Sequence, residues 1–363
     1  MKKHIRNLKI SSFRGIRELD ISDLSDVNIF VGDNNSGKTS VLEAIQLINN
    51  PTFYNTVLVS REREKYRFRM GNLTQFESFM YLFPHNSDSF LESTQYSVRI
   101  DSTIGDDKEF IEITGFLDHQ LIDWGKYPIS KYKSSESLEK ESEVLTFFGN
   151  LRSSFNDFYE TIEINDYMSI SRADSKEMRI FPMKKVGSVD HVAENSFKFI
   201  LDNREFREQA IELLNEFEPN IKDLRYSEGN ERRAIPIVET KTDSLPLSMY
   251  GDGMKRAIAL LNALIPSESG VVLIDELETA IHTSAMDSVF SFILNSAKKL
   301  NVQLFITTHS LEAVDKLLEN SGNNLERIRL IRLKNKSGKT YAKVLNGLEA
   351  KGYREKFDME LRI

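Results

Sequence analysis

Apolar positions near the N-terminus predict two strands followed by a helix. Apolar residues recur with partial alternation over residues 5–13 and again over 27–31, as they do in half-buried strands. Gly32 ends the second strand. Between residues 41 and 48 the apolar side chains fall on one face of a helix. The pattern therefore predicts a strand, a turn at Gly32 and a helix in close succession.

The middle of the chain has weaker patterns. Residues 96–114 alternate between apolar and polar positions around Gly105-Asp106-Asp107, which predicts a β-hairpin. Residues 116–190 mix polar stretches with short apolar ones, and we expect an inserted, partly helical subdomain there.

The C-terminal half alternates between helical spacing and short apolar runs. The run Val271-Val272-Leu273-Ile274 is typical of a strand that is buried on both faces of a parallel sheet. The predicted elements are a helical stretch over 191–217, a hairpin over 224–238 that turns at Glu228-Gly229-Asn230, helices over 254–264, 284–299 and 311–320, and strands over 271–274 and 302–307.

Strands that alternate with helices predict an α/β fold with a mixed or parallel central sheet, and the hairpins predict an additional antiparallel β-subdomain. At about 150 residues per domain, the 363 residues suggest about two domains, or one domain with a large insertion. We expect residues 1–115 and 191–363 to form the two parts of one domain. Residues 116–190 would be its insertion.

One stretch matches the phosphate-binding motif G-x-x-x-x-G-K-[ST]. It runs from Gly32 to Thr39, between the predicted strand and helix. Glycines let the loop backbone wrap so that its N–H groups point at phosphate oxygens, and the helix N-terminus adds positive potential. Lys38 would reach the β- and γ-phosphates of a nucleotide, and the Thr39 hydroxyl would ligate Mg²⁺.

A second stretch resembles the end of this motif without its beginning. In Ser337-Gly338-Lys339-Thr340 the position of the first glycine is occupied by Leu333. We therefore expect a hairpin turn between Ile331 and Val344 rather than a phosphate site.

Two further polar groups follow predicted buried strands. Asp275 and Glu276 come directly after the strand over 271–274, and His309 follows the next strand. Ligands bind at the carboxyl ends of strands in open α/β sheets. Asp275 would therefore hold Mg²⁺, Glu276 would polarise the attacking water, and His309 would contact the γ-phosphate and respond to whether ATP or ADP is bound.

A serine and two glycines open the predicted helix that begins near residue 252. Ser248 and Gly251 could bind a second phosphate group at that helix N-terminus. Since the chain already has a P-loop, such a site makes sense if it completes the nucleotide site of a partner in a head-to-tail dimer. The alternative is a simple helix cap formed by Ser248 or Asp252.

Composition narrows the classes of function. The absence of cysteine excludes disulfide scaffolds, Cys-ligated zinc, iron–sulfur clusters and thiol nucleophiles. No apolar run approaches the ~18 residues of a transmembrane helix, and no apolar stretch follows the basic N-terminus, so we expect a cytoplasmic protein without a membrane partner. With 48 Lys and Arg against 55 Asp and Glu, a strongly basic DNA-coating protein is disfavoured, although a local basic patch stays open.

These motifs, in this order, resemble those of ATP-binding-cassette (ABC) ATPases, and most closely the branch of RecF, SMC and OLD proteins. The resemblance covers residues 1–115 and 190–320 and implies an ABC-type ATPase head. It rests on Ile10-Ser11-Ser12-Phe13-Arg14-Gly15, which is similar to the N-terminal strand motif of the branch, on Ser248 to Arg256, which is similar to its degenerate signature, and on Asp275-Glu276-Leu277-Glu278 with Ile281-His282, which is similar to its Walker B motif and D-loop.

The resemblance implies ATP and Mg²⁺ as ligands and an ATP-sandwich homodimer as the working form. Lys38, Glu276 and His309 would be the catalytic residues, and Thr39 and Asp275 would be at the metal. A Q-loop glutamine would also reach the metal. Gln75 is our candidate, with Gln46 and Gln95 as alternatives. The nucleotide contacts would be Gly32, Asn34, Asn35, Ser36, Gly37, Lys38, Thr39 and Ser40, with Ser248 and Gly251 acting on the partner's γ-phosphate.

OLD nucleases carry a Toprim nuclease domain after the ATPase head. The residues after His309 lack the clustered acids that such a domain needs for two metals. The chain is therefore similar to ATPase subunits that work with a separate effector, a nuclease or a toxin, in anti-phage defence.

Other functions are less favoured by the sequence. A RecF-like DNA-repair ATPase that binds DNA in an ATP-dependent way is the main alternative. A nucleotide-binding scaffold without turnover is disfavoured by the Asp275-Glu276 pair, a transporter ATPase by the signature, and a GTPase by the lack of an Asn-Lys-x-Asp motif. The basic stretch from Arg61 to Arg69 is a candidate contact for nucleic acid, a partner or the nucleotide, or else a solvated amphipathic segment.

Overall fold

A computed structural model describes residues 4–64, 73–84, 94–123, 141–173, 178–188, 198–215, 219–226, 236–336 and 338–357. Within these ranges the chain forms three sheets with helices between and around them. None of the helices in these ranges is long and apolar enough to cross a membrane.

A six-stranded sheet carries the predicted motifs. Its strands are β3 (Val27–Val31), β9 (Met183–Val186), β13 (Val271–Ile274), β14 (Gln303–Thr307), β15 (Ile328–Lys336) and β16 (Lys339–Asn346). They lie in the order β16-β15-β3-β14-β13-β9. All neighbouring pairs are parallel except β15 and β16, which are antiparallel. This confirms the predicted α/β fold with a mixed central sheet.

Helices cover both faces of this sheet. The helices of the described residues are α1 (Lys38–Asn49), α2 (Phe53–Arg61), α3 (Gln75–Met80), α4 (Lys198–Asp202), α5 (Arg204–Leu214), α6 (Asp252–Leu264), α7 (Thr283–Lys299), α8 (Leu311–Asn320) and α9 (Gly347–Phe357). The helices predicted over 41–48, 254–264, 284–299 and 311–320 are confirmed.

The two-sided cover explains the continuous apolar runs. In β13, Val271 and Leu273 join a core that contains α1, whereas Val272 and Ile274 join a core that contains α6, α7 and α8. Because successive side chains of a strand point to opposite faces, a strand with a core on each side buries all of its positions. Every residue of β13 and β14 is accordingly buried.

A seven-stranded antiparallel sheet packs on the α1 side. Its strands are β1 (Ile5–Phe13), β2 (Ile16–Ile21), β4 (Tyr96–Ile104), β5 (Asp107–Asp123), β6 (Glu141–Ser153), β7 (Phe158–Ile164) and β8 (Ser169–Ala173), in the order β2-β1-β4-β5-β6-β7-β8. The predicted hairpin around Gly105 is β4 and β5, which pair from Ile104 opposite Asp107 to Tyr96 opposite Gly115. This sheet is the antiparallel β-subdomain that we expected.

Strand β2 was not predicted from the sequence. It pairs with β1 from Phe13 opposite Ile16 to Leu8 opposite Ile21. The two-residue turn between them is made by Arg14, at φ +51°, and Gly15. A hairpin that turns on an arginine in the left-handed region carries none of the usual Asn-Gly or Asp-Gly signals, so the sequence pattern did not indicate it.

The described part of residues 116–190 differs from the expected, partly helical insertion. It contains the end of β5, then β6, β7, β8 and β9, and one short 3-10 turn at Phe155–Asp157. Strand β5 passes residue 115 without a break, and β9 belongs to the central sheet. The stretch looked irregular because its strands place Glu, Thr and Ser on one face, as in β7, where buried residues alternate with Tyr159, Thr161 and Glu163.

A small third sheet contains β10 (Ile221–Tyr226), β11 (Pro236–Thr240) and β12 (Ser244–Pro246). Leu224 pairs with Val238, as the predicted second hairpin requires. The turn predicted at Glu228-Gly229-Asn230 lies outside the described residues. In the central sheet Ile331 pairs with Val344, which confirms that the P-loop-like stretch around Lys339 belongs to a hairpin.

Candidate active site

The P-loop connects β3 to α1 at the carboxyl end of the central sheet. Gly32 has a φ of +143°, and a Cβ at that position would lie 2.3 Å from the carbonyl oxygen of Leu333. Gly37 has a φ of +99° directly before the first residue of α1. Both positions therefore need glycine, because an added side chain would strain the backbone and, at Gly32, collide with β15. The loop can fold tightly in front of the helix N-terminus only with these residues.

Lys38 lies inside the loop. Its Nζ donates to the carbonyl oxygens of Gly32, at 2.7 Å, and Asp33, at 2.9 Å. Burial lowers the pKa of the Lys38 ammonium, and the nearby carboxylates of Asp275 and Asp33 oppose that shift. The cation is thus held where the loop would receive a phosphate group.

Thr39 and Asp275 lie side by side although they are 236 residues apart in sequence. The Thr39 Oγ1 is 3.2 Å from each carboxylate oxygen of Asp275. Thr307, the last residue of β14, donates its hydroxyl to Asp275 Oδ1 at 2.6 Å. Hydroxyl and carboxylate oxygens are the donors that Mg²⁺ prefers in nucleotide sites, so the residues present fit the expected metal.

Glu276 begins the turn after β13 with a φ of +52°. Its backbone N–H donates to Thr307 Oγ1 at 2.9 Å, which ties the turn to the neighbouring strand. Its Oε1 is 4.0 Å from the Nε2 of His309. Both side chains are partly exposed, so Glu276 and His309 face each other at the open edge of the site.

Glu278 fixes the loop that carries His309. Its Oε1 accepts the backbone N–H of His309 at 2.8 Å, and the backbone N–H of Leu277 donates to the Thr307 carbonyl at 3.1 Å. The turns after β13 and β14 are therefore joined by hydrogen bonds in both directions. The sequence indicated no role for Glu278 beyond its place in the Walker B resemblance.

A cavity of about 360 Å³ opens in front of the P-loop. Most of the predicted nucleotide contacts line it, namely Asn34, Asn35, Ser36, Gly37, Lys38, Thr39 and Ser40, together with His309. Arg14, Gly15 and Arg63 also line it. The volume falls within the usual range of small-ligand sites.

Arg14 and Arg63 were not predicted as site residues. Arg14 stands in the turn between β1 and β2, and Arg63 in a 3-10 turn at Glu62–Glu64 that follows α2. The sequence pointed to the segments that contain them but not to the residues themselves. Arg14 lies in the stretch that is similar to the N-terminal strand motif of RecF and SMC proteins, and Arg63 lies in the basic stretch from Arg61 to Arg69. The part of that stretch after Glu64 lies outside the described residues.

Gln75 is not brought to this site. It is the first residue of α3, and its Nε2 donates to the Oγ of Ser169 on β8 at 3.2 Å. The alternative Gln46 bonds to Glu62 at 2.8 Å and accepts from Lys185 at 3.3 Å, beside the site but not on the cavity wall. The expectation that Gln75 reaches the metal site is therefore corrected, because Gln75 lies away from the cavity. Nothing in the local sequence distinguishes one glutamine from another, because the loop that would place it has no fixed spacing from the P-loop.

Ser248 and Gly251 lie apart from the cavity of their own chain. Ser248 is in a 3-10 turn at Leu247–Met249, and Gly251 is the N-cap of α6. Among the described residues no side chain caps this helix end, so the simple capping role for Ser248 or Asp252 is not what the structure contains. The side chain of Met249 is 72% exposed. This segment therefore presents a free helix start and an apolar side chain to its surroundings.

Arg256 joins α6 to the Walker B turn. Its side chain is fully buried, and its Nη2 donates to the backbone oxygens of Asp275, at 3.0 Å, and Glu276, at 3.1 Å. Its Nη1 donates to the carbonyl of Gly187 after β9. Sequence analysis placed this arginine only within the signature-like stretch. The structure adds that it holds the backbone of both acids.

In ABC-type ATPases two acids follow one strand, a histidine follows the next, and both groups lie near the P-loop. In this chain the acids follow β13, the histidine follows β14, and the P-loop follows β3. It is a P-loop ATPase of the ABC type, of the branch that contains RecF and SMC proteins. The chain belongs to the family described as "AAA domain, putative AbiEii toxin, Type IV TA system", whose sequence profile matches residues 27–315.

Individual relatives differ in how much of the chain they match. A Helicobacter pylori protein named "ATP/GTP phosphatase" is 24% identical over 335 residues, which are 86% of this chain and 86% of that protein. The DNA replication and repair protein RecF of Clostridium kluyveri is 50% identical over 42 residues, or 12% of each chain. The solved SMC head domain from Thermotoga maritima aligns over 94% of this chain and 99% of that chain, at 11% identity and a TM-score of 0.44.

Proposed function

We propose that this ATPase binds ATP with Mg²⁺, hydrolyses it between two copies of the chain, and controls a separate effector, a nuclease or toxin, in anti-phage defence. The observation that carries the enzymatic part is the meeting of Thr39, Asp275, Glu276 and His309 in front of one P-loop. They lie just after three parallel strands of one sheet, β3, β13 and β14. A common catalytic task accounts for their convergence at one edge.

Binding would rest on the P-loop. Its backbone N–H groups and the start of α1 would hold the phosphates, and Lys38 would leave the carbonyls of Gly32 and Asp33 to pair with phosphate oxygens. Thr39 and Asp275 would hold Mg²⁺, which neutralises negative charge on the phosphates when it is bound. Burial of Lys38 strengthens its attraction to phosphate, since the local dielectric constant is lower than in water.

Hydrolysis would begin with a water molecule near Glu276. The carboxylate accepts a proton while the water oxygen bonds to the γ-phosphorus, and the bond from that phosphorus to the β-bridging oxygen breaks. The products are ADP and inorganic phosphate. His309, which is 4.0 Å from Glu276, would contact the γ-phosphate from the side.

The exposed start of α6 supports a dimer. Ser248 and Gly251 do not line the cavity of their own chain, and within the described part of the chain no side chain accepts from the backbone N–H groups at the N-cap. Such groups suit the γ-phosphate of a second copy. The exposed Met249 would be covered in the same contact.

The C-terminal elements belong to the ATPase head. Strands β15 and β16 extend the central sheet, and α9 packs against them. The support for a separate effector comes from the relatives. The toxin named in the family description and the phosphatase activity named for the Helicobacter relative fit an ATPase that works with a toxic partner.

The test uses tagged Glu276→Gln, which should bind ATP and stall before hydrolysis. We expect it to form dimers in light scattering with ATP and Mg²⁺, and to co-purify a stoichiometric nuclease or toxin from its native host. Lys38→Ala is the matched control, because it should fail to bind ATP. A Glu276→Gln chain that stays monomeric with ATP bound would contradict the sandwich, and full turnover by it would contradict the role of Glu276.

RecF-like DNA repair is the second candidate, favoured by the local match to RecF. It predicts that DNA binding requires ATP and weakens steeply as salt rises, because phosphate contacts release counterions. Recovery of DNA with repair proteins by Glu276→Gln would favour it. Equal DNA binding with and without ATP would count against it.

A further inference from the structure

Two arginines on the wall of the nucleotide cavity meet one carboxylate. Arg14 Nε is 2.7 Å from Glu43 Oε2, and Arg63 contacts both oxygens of Glu43 at 2.7 Å through Nε and Nη2. Glu43 lies on α1, one turn after the P-loop, and its side chain is completely buried. The three residues come from the β1–β2 turn, the P-loop helix and the turn after α2. One buried group thus joins three elements at the cavity.

The cluster is charged in spite of its burial. Burial raises the pKa of the Glu43 carboxyl, but the charges of Arg14 and Arg63 and the hydrogen bond from Arg63 outweigh that effect, so the pKa lies below its usual value. Two guanidinium groups on one carboxylate leave a net positive charge. That charge lies beside a loop whose task is to hold phosphates.

Each arginine is held through its Nε and one Nη. Arg63 Nη2 also donates to the Oγ of Ser40 in the first turn of α1 at 2.9 Å, while 41% of the Arg63 side chain is exposed. Arg14 is 9% exposed, and its Nη2 donates to the carbonyl of Val59 at 3.3 Å. A guanidinium anchored through Nε and one Nη can still offer donors to a ligand in a fixed plane.

Stability alone is a poor reason for such a cluster. Replacing a buried ion pair by apolar residues of similar volume is often neutral or stabilising, so an ionised group at this depth points to a use for its charge. Orienting two cations toward a polyphosphate is such a use, because guanidinium groups recognise phosphate through a rigid pair of donors.

We propose that Glu43 is a positioning residue that holds Arg14 and Arg63 as a pair against the phosphates of the bound nucleoside triphosphate. This inference rests on the proposed function of the same site. It makes nucleotide affinity depend on a contact between the antiparallel sheet, through Arg14, and the P-loop helix. Glu43 itself touches no phosphate in this account.

Neutralising the arginines and positioning them predict opposite changes in ATP affinity when the Glu43 charge is removed. If the carboxylate only neutralised the arginines, removing its charge would make the cavity more positive and ATP binding tighter. If it positions them, removing it lets both guanidinium groups move and ATP binding weakens. The direction of the change in KM therefore separates the two roles.

The experiment measures KM and kcat for ATP in the full chain with Mg²⁺. We expect Glu43→Gln, which keeps the shape and loses the charge, to raise KM by about tenfold while kcat changes by less than about threefold, the split expected when binding rather than transition-state contact is lost. Glu43→Asp keeps the charge and shortens the reach, and it should raise KM as well. Glu160→Gln is the matched control: Glu160 is also buried, but its carboxylate accepts the backbone N–H of Phe53.

Arg63 provides the second measurement. Arg63→Ala should raise KM by a similar factor, and adding Glu43→Gln to it should raise KM little further, because residues that act through one another are not additive. Should Glu43→Gln fail to fold, Glu43→Asp and Arg63→Lys carry the same comparison.

The inference is overturned if folded Glu43→Gln has an unchanged or lower KM, or if the two substitutions multiply independently. Failure of the proposed function looks different. In that case the wild-type chain itself would not hydrolyse ATP, or Lys38→Ala would hydrolyse it as well as wild type. Wild-type turnover that depends on Lys38 but not on Glu43 contradicts only the positioning role.

Discussion

The two large sheets share the core around α1 but differ in the chemistry that they carry. In the central sheet β9, β13, β14, β3 and β15 are parallel to one another, so the loops after β3, β13 and β14 meet at one edge. In the antiparallel sheet successive loops alternate between opposite edges. That sheet contributes Arg14 and Gly15 to the cavity, from a single turn. Parallel strands can collect a site from distant residues, whereas antiparallel strands supply single contacts.

The inner face of the antiparallel sheet serves mainly for packing. Phe147 packs against both Phe79 and Phe83, with ring centroids 5.3 and 5.2 Å away. Its outer face carries exposed aromatic side chains such as Phe116 and Tyr159. We therefore expect substitutions in the central sheet to change turnover, and substitutions in the antiparallel sheet outside the turn at Arg14 and Gly15 to change stability or nothing. The predictions below run from the largest expected effect on turnover to the smallest.

Lys38→Ala should abolish turnover. We expect ATP affinity to fall by about a hundredfold or more, because a buried charge partner of the phosphates is lost. Titration calorimetry with ATP measures this directly. Lys339→Ala is the control, since Lys339 stands in the similar Ser-Gly-Lys-Thr stretch but pairs with Glu18 on the surface. Equal losses in both variants would show that the P-loop is not the binding site.

Glu276→Gln should leave ATP affinity near the wild-type value and lower kcat by about 10²- to 10⁴-fold, the usual contribution of a positioned general base. Single-turnover kinetics with radiolabelled ATP separates binding from chemistry. Glu312→Gln on the exposed start of α8 is the matched control. A wild-type kcat in Glu276→Gln would mean that another group activates the water.

Arg256→Lys should lower kcat by about tenfold to a hundredfold, with a smaller change in KM. The turn that carries Asp275 and Glu276 would lose the guanidinium N–H donors that hold its backbone oxygens, and it would shift. Lysine keeps the buried charge, which limits the loss of stability. Thermal unfolding monitors that loss beside the kinetics, and Lys255→Arg on the same helix serves as control. A change in unfolding temperature without a change in kcat would leave Arg256 with a structural role alone.

Phe116→Ser on the outer face of the antiparallel sheet should change neither turnover nor stability by more than about 0.5 kcal/mol. Phe147→Ala on the inner face should lower the free energy of unfolding by about 3–5 kcal/mol and leave the KM for ATP unchanged at temperatures where it stays folded. Urea unfolding and ATP kinetics on the same samples test both. A loss of ATP affinity in either variant would contradict the division between the two sheets.

The central sheet was predictable because burial on both faces leaves an unmistakable pattern. Val271 to Ile274 has no polar position, Leu304 to Ile306 is a second apolar run, and helices between the two strands fix the parallel order. Strands β6 to β8 were missed because one face meets solvent and reads as an irregular polar stretch. Strand β2 was missed because its turn rests on Arg14.

The site residues also divide into those that the sequence predicts and those that it does not. Lys38, Thr39, Asp275 and Glu276 stand in motifs whose spacing carries their role, and the structure brings them together. Glu43 and Arg256 have no such spacing. A buried glutamate or arginine looks the same in sequence as one on the surface, since its partners come from distant elements. Only the fold distinguishes the two.

Magnesium-dependent release of phosphate from ATP by Asp275→Asn tests the central claim most directly. Asparagine keeps the size of the side chain and removes the charge that would hold the metal beside Thr39. We predict that wild type and the surface control Asp287→Asn release phosphate only with Mg²⁺, and that Asp275→Asn releases almost none at any Mg²⁺ concentration. Hydrolysis by Asp275→Asn at the wild-type rate and Mg²⁺ dependence would contradict the assignment of the active site to this edge of the sheet.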